Sequence, residues 1–161
     1  MTATATLPNA MAIPVRDPRS GAIDTHITPP TARELSALVA RVRAAQPAWL
    51  AIGVEGRAAA MREWGAALAR HRVALTNALE HDTGRRAIST LEIDLVLAAI
   101  TRWSAQAPEL LRQHDVSSSL PFVRIQSAIA PFPLVGIISP WNFPLLLATL
   151  DTSRHCSRAV R

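Results

Sequence analysis

The most informative segment of this chain is Leu134-Val135-Gly136-Ile137-Ile138-Ser139-Pro140-Trp141-Asn142-Phe143-Pro144. Its first five residues form a continuous apolar run of strand length, which is typical of a strand buried on both faces of a parallel sheet. Pro144 suits the first turn of a following helix, where the N–H that proline lacks would have no partner anyway. The order of strand, two-proline loop and helix predicts an α/β fold that displays Trp141 and Asn142 at the carboxyl end of the strand.

Proline spacing divides the rest of the chain. No proline lies between Pro47 and Pro108, whereas five lie between Pro121 and Pro144. The middle is therefore predicted to be helical and the end to consist of strand and loop. Before the helices, two short apolar segments flank Asp17-Pro18-Arg19-Ser20-Gly21, and this composition predicts the turn of a β-hairpin.

Two capping-box motifs, Thr31 to Glu34 and Ser89 to Glu92, predict helix starts. The helix after Thr31 is expected to stop near Pro47, and the helix after Ser89 is expected to stop before Pro108. The chain between these two helices also has helical spacing of apolar residues, and this helical part should end at Asp82-Thr83-Gly84. The polar residues 112–120 are predicted to be a linker, and residues 122–126 alternate as a half-exposed strand does.

Composition excludes several classes of protein. The chain has 161 residues, 49% of them hydrophobic, which is too apolar for a disordered tail. A single cysteine excludes a disulfide framework and favours a reducing, cytoplasmic setting. Scattered arginines and only 4% aromatic residues argue against nucleic-acid binding, although the net charge is +5. No secretory signal, membrane span or metal-ligand spacing is expected.

Asn142 has two interpretations on its own chemistry. Its neutral amide can donate to an oxyanion without titrating. Alternatively, it can cap a helix or satisfy the loop backbone, and composition alone favours this second interpretation.

The residues from Pro133 to Leu145 closely resemble a block of the aldehyde dehydrogenase superfamily, whose core is Pro-Trp-Asn-Phe/Tyr-Pro after an apolar strand. The resemblance extends over roughly residues 13–152 and includes Ala45-Gln46-Pro47-Ala48-Trp49, Arg57 and Asp82-Thr83-Gly84-Arg85-Arg86. It implies the incomplete N-terminal part of that α/β fold. Its expected parts are a disordered N-terminus (1–11), a hairpin of the oligomerisation part (12–30), a helical part of the cofactor domain (31–111), a linker and crossing strand (112–132), and the first Rossmann-like strand, loop and helix (133–152).

The resemblance also implies a function, the NAD(P)-dependent oxidation of an aldehyde to a carboxylic acid. Asn142 would donate its amide to the thiohemiacetal oxyanion, and the residues lining the nicotinamide of NAD or NADP would be Ile138, Ser139, Pro140 and Trp141. In this family the full-length protein is a homo-oligomer. On composition and residue spacing, no metal, nucleic-acid or membrane partner is expected.

The chain departs from the family pattern in its chemistry. The family's nucleophilic Cys and general-base Glu lie farther downstream than this sequence extends, and its Lys-Pro-Ser-Glu string is missing. Cys156 follows Asn142 too closely to be that nucleophile. The chain alone is therefore expected to be inactive. An alternative is a non-catalytic fragment that associates with intact aldehyde dehydrogenase subunits through strand pairing.

Residues 153–161 differ from the family continuation, Ile-Pro-Ala-Leu-Leu-Ala-Gly-Cys-Ala, and are predicted to be an aberrant tail. One set of codons for these nine residues encodes the family continuation when a single A is inserted before the first codon. The pattern predicts a one-nucleotide deletion or a truncation after about Thr152, which the gene read in three frames would test. Three of the five net positive charges, Arg154, Arg158 and Arg161, lie in this tail.

Overall fold

The computed structural model describes residues 11–112, 114–120, 122–127 and 132–158. Residues 1–10, most of the N-terminus predicted to be disordered, lie outside the described residues. The elements are β1 (Ile13–Arg16), β2 (Ile23–Ile27), α1 (Ala32–Ala51), α2 (Gly53–Arg70), α3 (Arg72–Thr83), α4 (Arg86–Leu110), β3 (His114–Ser117), β4 (Arg124–Ser127) and α5 (Pro144–Arg158).

The N-terminal hairpin forms as predicted. Strands β1 and β2 pair antiparallel, with Ile13 opposite Ile27. In the turn, the carboxylate of Asp17 accepts N–H bonds from Arg19 at 2.7 Å and Ser20 at 3.3 Å. The bond from Arg19 contributes most to holding the pKa of Asp17 below its ordinary value. The turn composition thus specifies the hairpin through local side-chain to backbone bonds.

Helix α1 starts as predicted but does not stop at Pro47. The Thr31 hydroxyl accepts the Glu34 N–H at 3.2 Å, and the Glu34 carboxylate accepts the Thr31 N–H at 2.8 Å. The helix then continues through Pro47 to Ala51. Proline removes only one N–H, and its usual acceptor four residues earlier belongs to the exposed Arg43, where water can bond instead.

The predicted stop before Pro108 is also wrong, because α4 continues to Leu110. The last turns are held by packing, since Ala107 is fully buried. The predicted end of α3 is confirmed, with Gly84 as C-cap in the left-handed region at φ 67° and its N–H bonded to the Glu80 carbonyl at 2.9 Å. The capping box predicted at Ser89 is wrong, because α4 already begins at Arg86.

The core lies where α4 packs against α2 and α5. Its buried cluster consists of Met61 from α2, Val96 and Ile100 from α4, and Leu146 from α5. Helix α1 contributes no buried residue. The packed part of the described chain is therefore a helical bundle centred on α4, and this bundle fixes the start of α5.

The second half of the chain departs further from expectation. The predicted linker contains β3, which pairs antiparallel with β4, and β4 overlaps the strand predicted at residues 122–126. Residues 134–138, predicted to be a buried parallel strand, have no regular structure, and Ile138 is fully exposed. Within the described residues the only sheets are the two hairpins, so this segment has no neighbouring strand to bond with.

Helix α5 begins at Pro144, as predicted. It continues without a break through residues 153–158 of the predicted aberrant tail, and Ser153 is fully buried within it.

Candidate functional site

The loop before α5 carries all the residues predicted to form the site. Ile138 is fully exposed and Trp141 is 75% exposed. Pro140 and Asn142 are exposed as well, and Ser139 is half-buried. The site residues therefore form one continuous, accessible loop on the surface of the described chain.

A buried carboxylate from α4 holds the start of α5. Glu92 is 1% exposed, and its Oε1 accepts the N–H groups of Leu145 and Leu146, each at 2.8 Å. The first N–H groups of a helix have no acceptor within the helix. Glu92 supplies that acceptor from a different helix, 53 residues away from Leu145. It thus caps α5, not α4 as the sequence motif had predicted.

Arg85, in the turn between α3 and α4, contacts the same loop from its side. Its Nη1 donates to the backbone carbonyl of Asn142 at 2.5 Å. Its guanidinium carbon lies 4.9 Å from the centroid of the Phe143 ring, within cation–π distance. The Arg85 N–H donates to the Thr83 hydroxyl at 3.3 Å. The turn that ends α3 therefore directs an arginine onto the loop.

The contacts of Arg85 and Glu92 position the loop, and its own residues determine its chemistry. Asn142 is held through its backbone carbonyl, while the residue itself remains exposed. Residues 138–147 contain no titratable side chain. The loop can therefore offer a fixed neutral donor to a developing negative charge, but proton transfer would have to come from other groups.

Cys156 and His155 lie away from this loop, in an apolar cleft of about 380 Å³ between α1, α5 and residues 132–137. Burial raises the pKa of the Cys156 thiol and lowers the pKa of His155. Burial thus disfavours the thiolate form of Cys156, which is the reactive form of a cysteine.

No group of three or more His, Cys, Asp or Glu side chains in the described ranges could hold a metal ion. None of the described helices is both long and apolar enough to cross a membrane.

Sequence reasoning missed the roles of Arg85 and Glu92. Arg85 enters the sequence argument only through the family resemblance, and the capping motif predicts that Glu92 caps its own helix, α4, whereas it caps α5. A signal was present for Glu92, because it lies four residues before Val96 and so shares a face with this core residue. A carboxylate on an apolar face needs a buried partner.

Comparison with known proteins decides the family. Residues 6–154 match the sequence model of the aldehyde dehydrogenase family. The chain belongs to the aldehyde dehydrogenase family. A candidate succinate-semialdehyde dehydrogenase (NADP+) from Mycolicibacterium smegmatis is 32% identical over 143 residues, which are 86% of this chain and 27% of that protein.

Solved aldehyde dehydrogenase structures share the fold. A candidate aldehyde dehydrogenase from Anabaena variabilis is 46% identical with a TM-score of 0.87, and the match covers 92% of this chain and 32% of that one. An NAD-dependent benzaldehyde dehydrogenase from Corynebacterium glutamicum has a TM-score of 0.81 at 21% identity, with the same coverage of both chains. The chain thus spans about a third or less of the length of these relatives. The predicted N-terminal, incomplete aldehyde dehydrogenase-like fold is confirmed.

Proposed function

We propose that this chain supplies the oxyanion-binding amide and part of the cofactor site of an aldehyde dehydrogenase, which oxidises an aldehyde to a carboxylic acid. The observation that carries the proposal is the exposed Asn142 on a loop whose backbone is bonded by Arg85 and whose following helix is capped by Glu92. Family membership supports it, because the loop carries the Pro-Trp-Asn-Phe-Pro string.

In this proposal Asn142 acts by donating a hydrogen bond. When a thiolate attacks the aldehyde carbon, negative charge develops on the aldehyde oxygen. A side-chain amide already held near that oxygen stabilises the charge without having to reorganise. The thiolate belongs to a cysteine that this sequence does not contain, and the chain alone is therefore proposed to be inactive.

The residues before Asn142 fit a nicotinamide ring. Exposed apolar surface on Ile138 and Trp141 suits a flat aromatic ring, and Ser139 and Pro140 join them in the same loop. These residues would hold the nicotinamide of NAD or NADP, which would supply the hydride acceptor for the reaction. The proposed task of these four residues is to orient the ring and exclude water.

The substrate is proposed only as an aldehyde. Relatives are named for succinate semialdehyde and benzaldehyde, which differ in charge and shape. We further propose a cytoplasmic setting, supported by the single cysteine. Assembly as a homo-oligomer is proposed on the family resemblance alone.

A chimera tests the proposed role of Asn142. Residues 1–152 would be joined to the remaining part of the Anabaena variabilis relative and assayed for reduced nicotinamide formation with a panel of aldehydes. Asn142→Ala should lower kcat by about 10²–10³-fold, the usual effect of losing one oxyanion donor. The matched control is Asn77→Ala, at an exposed position of α3. Unchanged kcat for Asn142→Ala would refute the proposal.

A second candidate function is association with intact aldehyde dehydrogenase subunits. The exposed hairpin favours it, because Ile13, Ile23 and Ile27 are each more than half exposed. Strand addition to β1 or β2 would cover these side chains. Co-purification with an intact homologue, lost on deletion of residues 12–30, would support this candidate, and no co-purification would exclude it.

A further inference from the structure

We propose that Glu92 and Arg85 are the positioning residues of the Asn142 loop, and that Glu92 caps α5 so that the Asn142 side chain does not. The functional meaning of this inference rests on the proposed role of Asn142. The structural part stands on the contacts alone.

The start of α5 lacks a good cap of its own. Pro144 has no N–H, and the residue before it, Phe143, has no side-chain acceptor. The nearest local acceptor is the side chain of Asn142, which lies three residues before Leu145. This is the spacing at which a capping side chain accepts a helix N–H. Without another acceptor, the amide of Asn142 would be drawn into capping.

Glu92 removes that competition. Its carboxylate already accepts the N–H groups of Leu145 and Leu146, each at 2.8 Å. Charge-assisted bonds of this kind are about twice as strong as neutral ones, and the positive end of the helix dipole adds to them. An amide oxygen from Asn142 is therefore the weaker competitor, and its side chain stays available for a ligand.

Arg85 fixes the backbone of the same loop. Its bond to the Asn142 carbonyl and its contact with the Phe143 ring hold two consecutive residues. Glu92 accepts the N–H groups of Leu145 and Leu146, just after Pro144. Together the two side chains fasten the loop and the first turn of α5 to the N-terminal part of α4.

Amide hydrogen exchange in the 161-residue chain, followed by NMR, tests this directly. In Glu92→Ala, the Leu145 and Leu146 amides should exchange on the order of tenfold faster, while the Ile100 amide in the core changes by less than about twofold. Glu92→Gln keeps an acceptor oxygen and should restore most of the protection. Glu109→Gln is the matched control, at an exposed position of the same helix.

A double variant shows whether Asn142 takes over the cap. Asn142→Ala alone should leave the Leu145 amide unchanged. Combined with Glu92→Ala, it should accelerate exchange beyond the single Glu92 variant, because the substitute cap is then lost as well. If Glu92→Ala does not fold, the same comparison is made with Glu92→Leu, which fills a similar volume but offers no acceptor to the Leu145 and Leu146 amides. Equal effects of Asn142→Ala and Glu92→Ala on the Leu145 amide, or acceleration spread evenly over α2 and α4, would overturn the proposal.

The contribution of Arg85 is tested by the positions of the backbone amide signals in the NMR spectrum. Arg85→Ala should shift the Asn142 and Phe143 signals, whereas Arg86→Ala, at the exposed neighbouring position, should leave them in place. Unshifted signals in Arg85→Ala would overturn its positioning role. Turnover of the chimera tests the function separately, since exchange at Leu145 reports capping even if Asn142→Ala has no effect on kcat.

Discussion

Two isoleucines show how differently the two parts of this chain are arranged. Ile100 in α4 is 2% exposed, in the core cluster with Met61 and Leu146. Ile138, at the end of the apolar run before the loop, is fully exposed. Both lie in strongly apolar surroundings in the sequence. The difference is that Ile100 packs against neighbouring helices, whereas Ile138 ends an apolar segment that pairs with no strand among the residues that the structure describes.

The largest expected difference in stability is between the alanine substitutions of these two isoleucines. Ile100→Ala should lower the free energy of unfolding by about 2–5 kcal/mol, because it leaves a cavity between α2, α4 and α5. Ile138→Ala removes the same atoms from a solvated position and should change the free energy of unfolding by less than about 0.5 kcal/mol. Urea unfolding of both variants measures the difference. Similar losses in both would mean that residues 134–138 are packed in solution.

Two glycines give the next largest contrast. Gly84 ends α3 with φ 67°, a conformation that other residues adopt only with strain. Gly84→Ala should therefore destabilise the fold by about 1–2 kcal/mol. Gly136 has no positive φ and no atom within 4 Å of an added Cβ, so Gly136→Ala should be close to neutral. Thermal unfolding compares them, and a neutral Gly84→Ala would contradict the strained cap.

The smallest effect concerns the contact between the hairpin and α3. His81 Nε2 lies 2.7 Å from a carboxylate oxygen of Asp24 in β2. The hydrogen bond and charge of Asp24 raise the pKa of His81 above its ordinary 6.5, and Asp82 and Asp17 add to this. The pair should therefore stabilise hairpin docking fully below pH 6.5, and the contribution should disappear as pH rises through the higher folded pKa.

An NMR titration of the His81 ring measures this shift. Asp24→Asn should move the midpoint down, toward the ordinary value. Asp94→Asn is the control, because Asp94 pairs with Arg72 and not with His81. An unchanged midpoint in Asp24→Asn would show that the pair does not form in solution.

The elements that sequence reasoning predicted correctly are those determined by neighbouring residues. The hairpin turn, the capping box at Thr31, the end of α3 at Gly84 and the start of α5 at Pro144 all depend on bonds or dihedral angles within a few positions. The failures have two causes. Pro108 does not end α4 because packing around the buried Ala107 holds the last turns of that helix, whereas Pro47 does not end α1 because water can bond the carbonyl of the exposed Arg43.

The same distinction applies to the candidate site. The loop residues from Ile138 to Asn142 could be found from a local string of letters. Glu92 could not be assigned correctly, because a Ser-x-x-Glu motif reads the same whether its carboxylate bonds to its own helix or to another one. Only the packing of α4 against α5 distinguishes the two cases. The roles of the loop residues in catalysis and cofactor binding stay predictions.

The half-buried thiol of Cys156 gives this chain a built-in probe. It packs against the core cluster, and burial raises its pKa, so few molecules carry a reactive thiolate while α5 is docked. As the chain's single cysteine, it gives one unambiguous labelling signal. The rate of its modification by a thiol reagent therefore reports how accessible the end of α5 is, and ligands that tighten the bundle can be recognised by slower labelling.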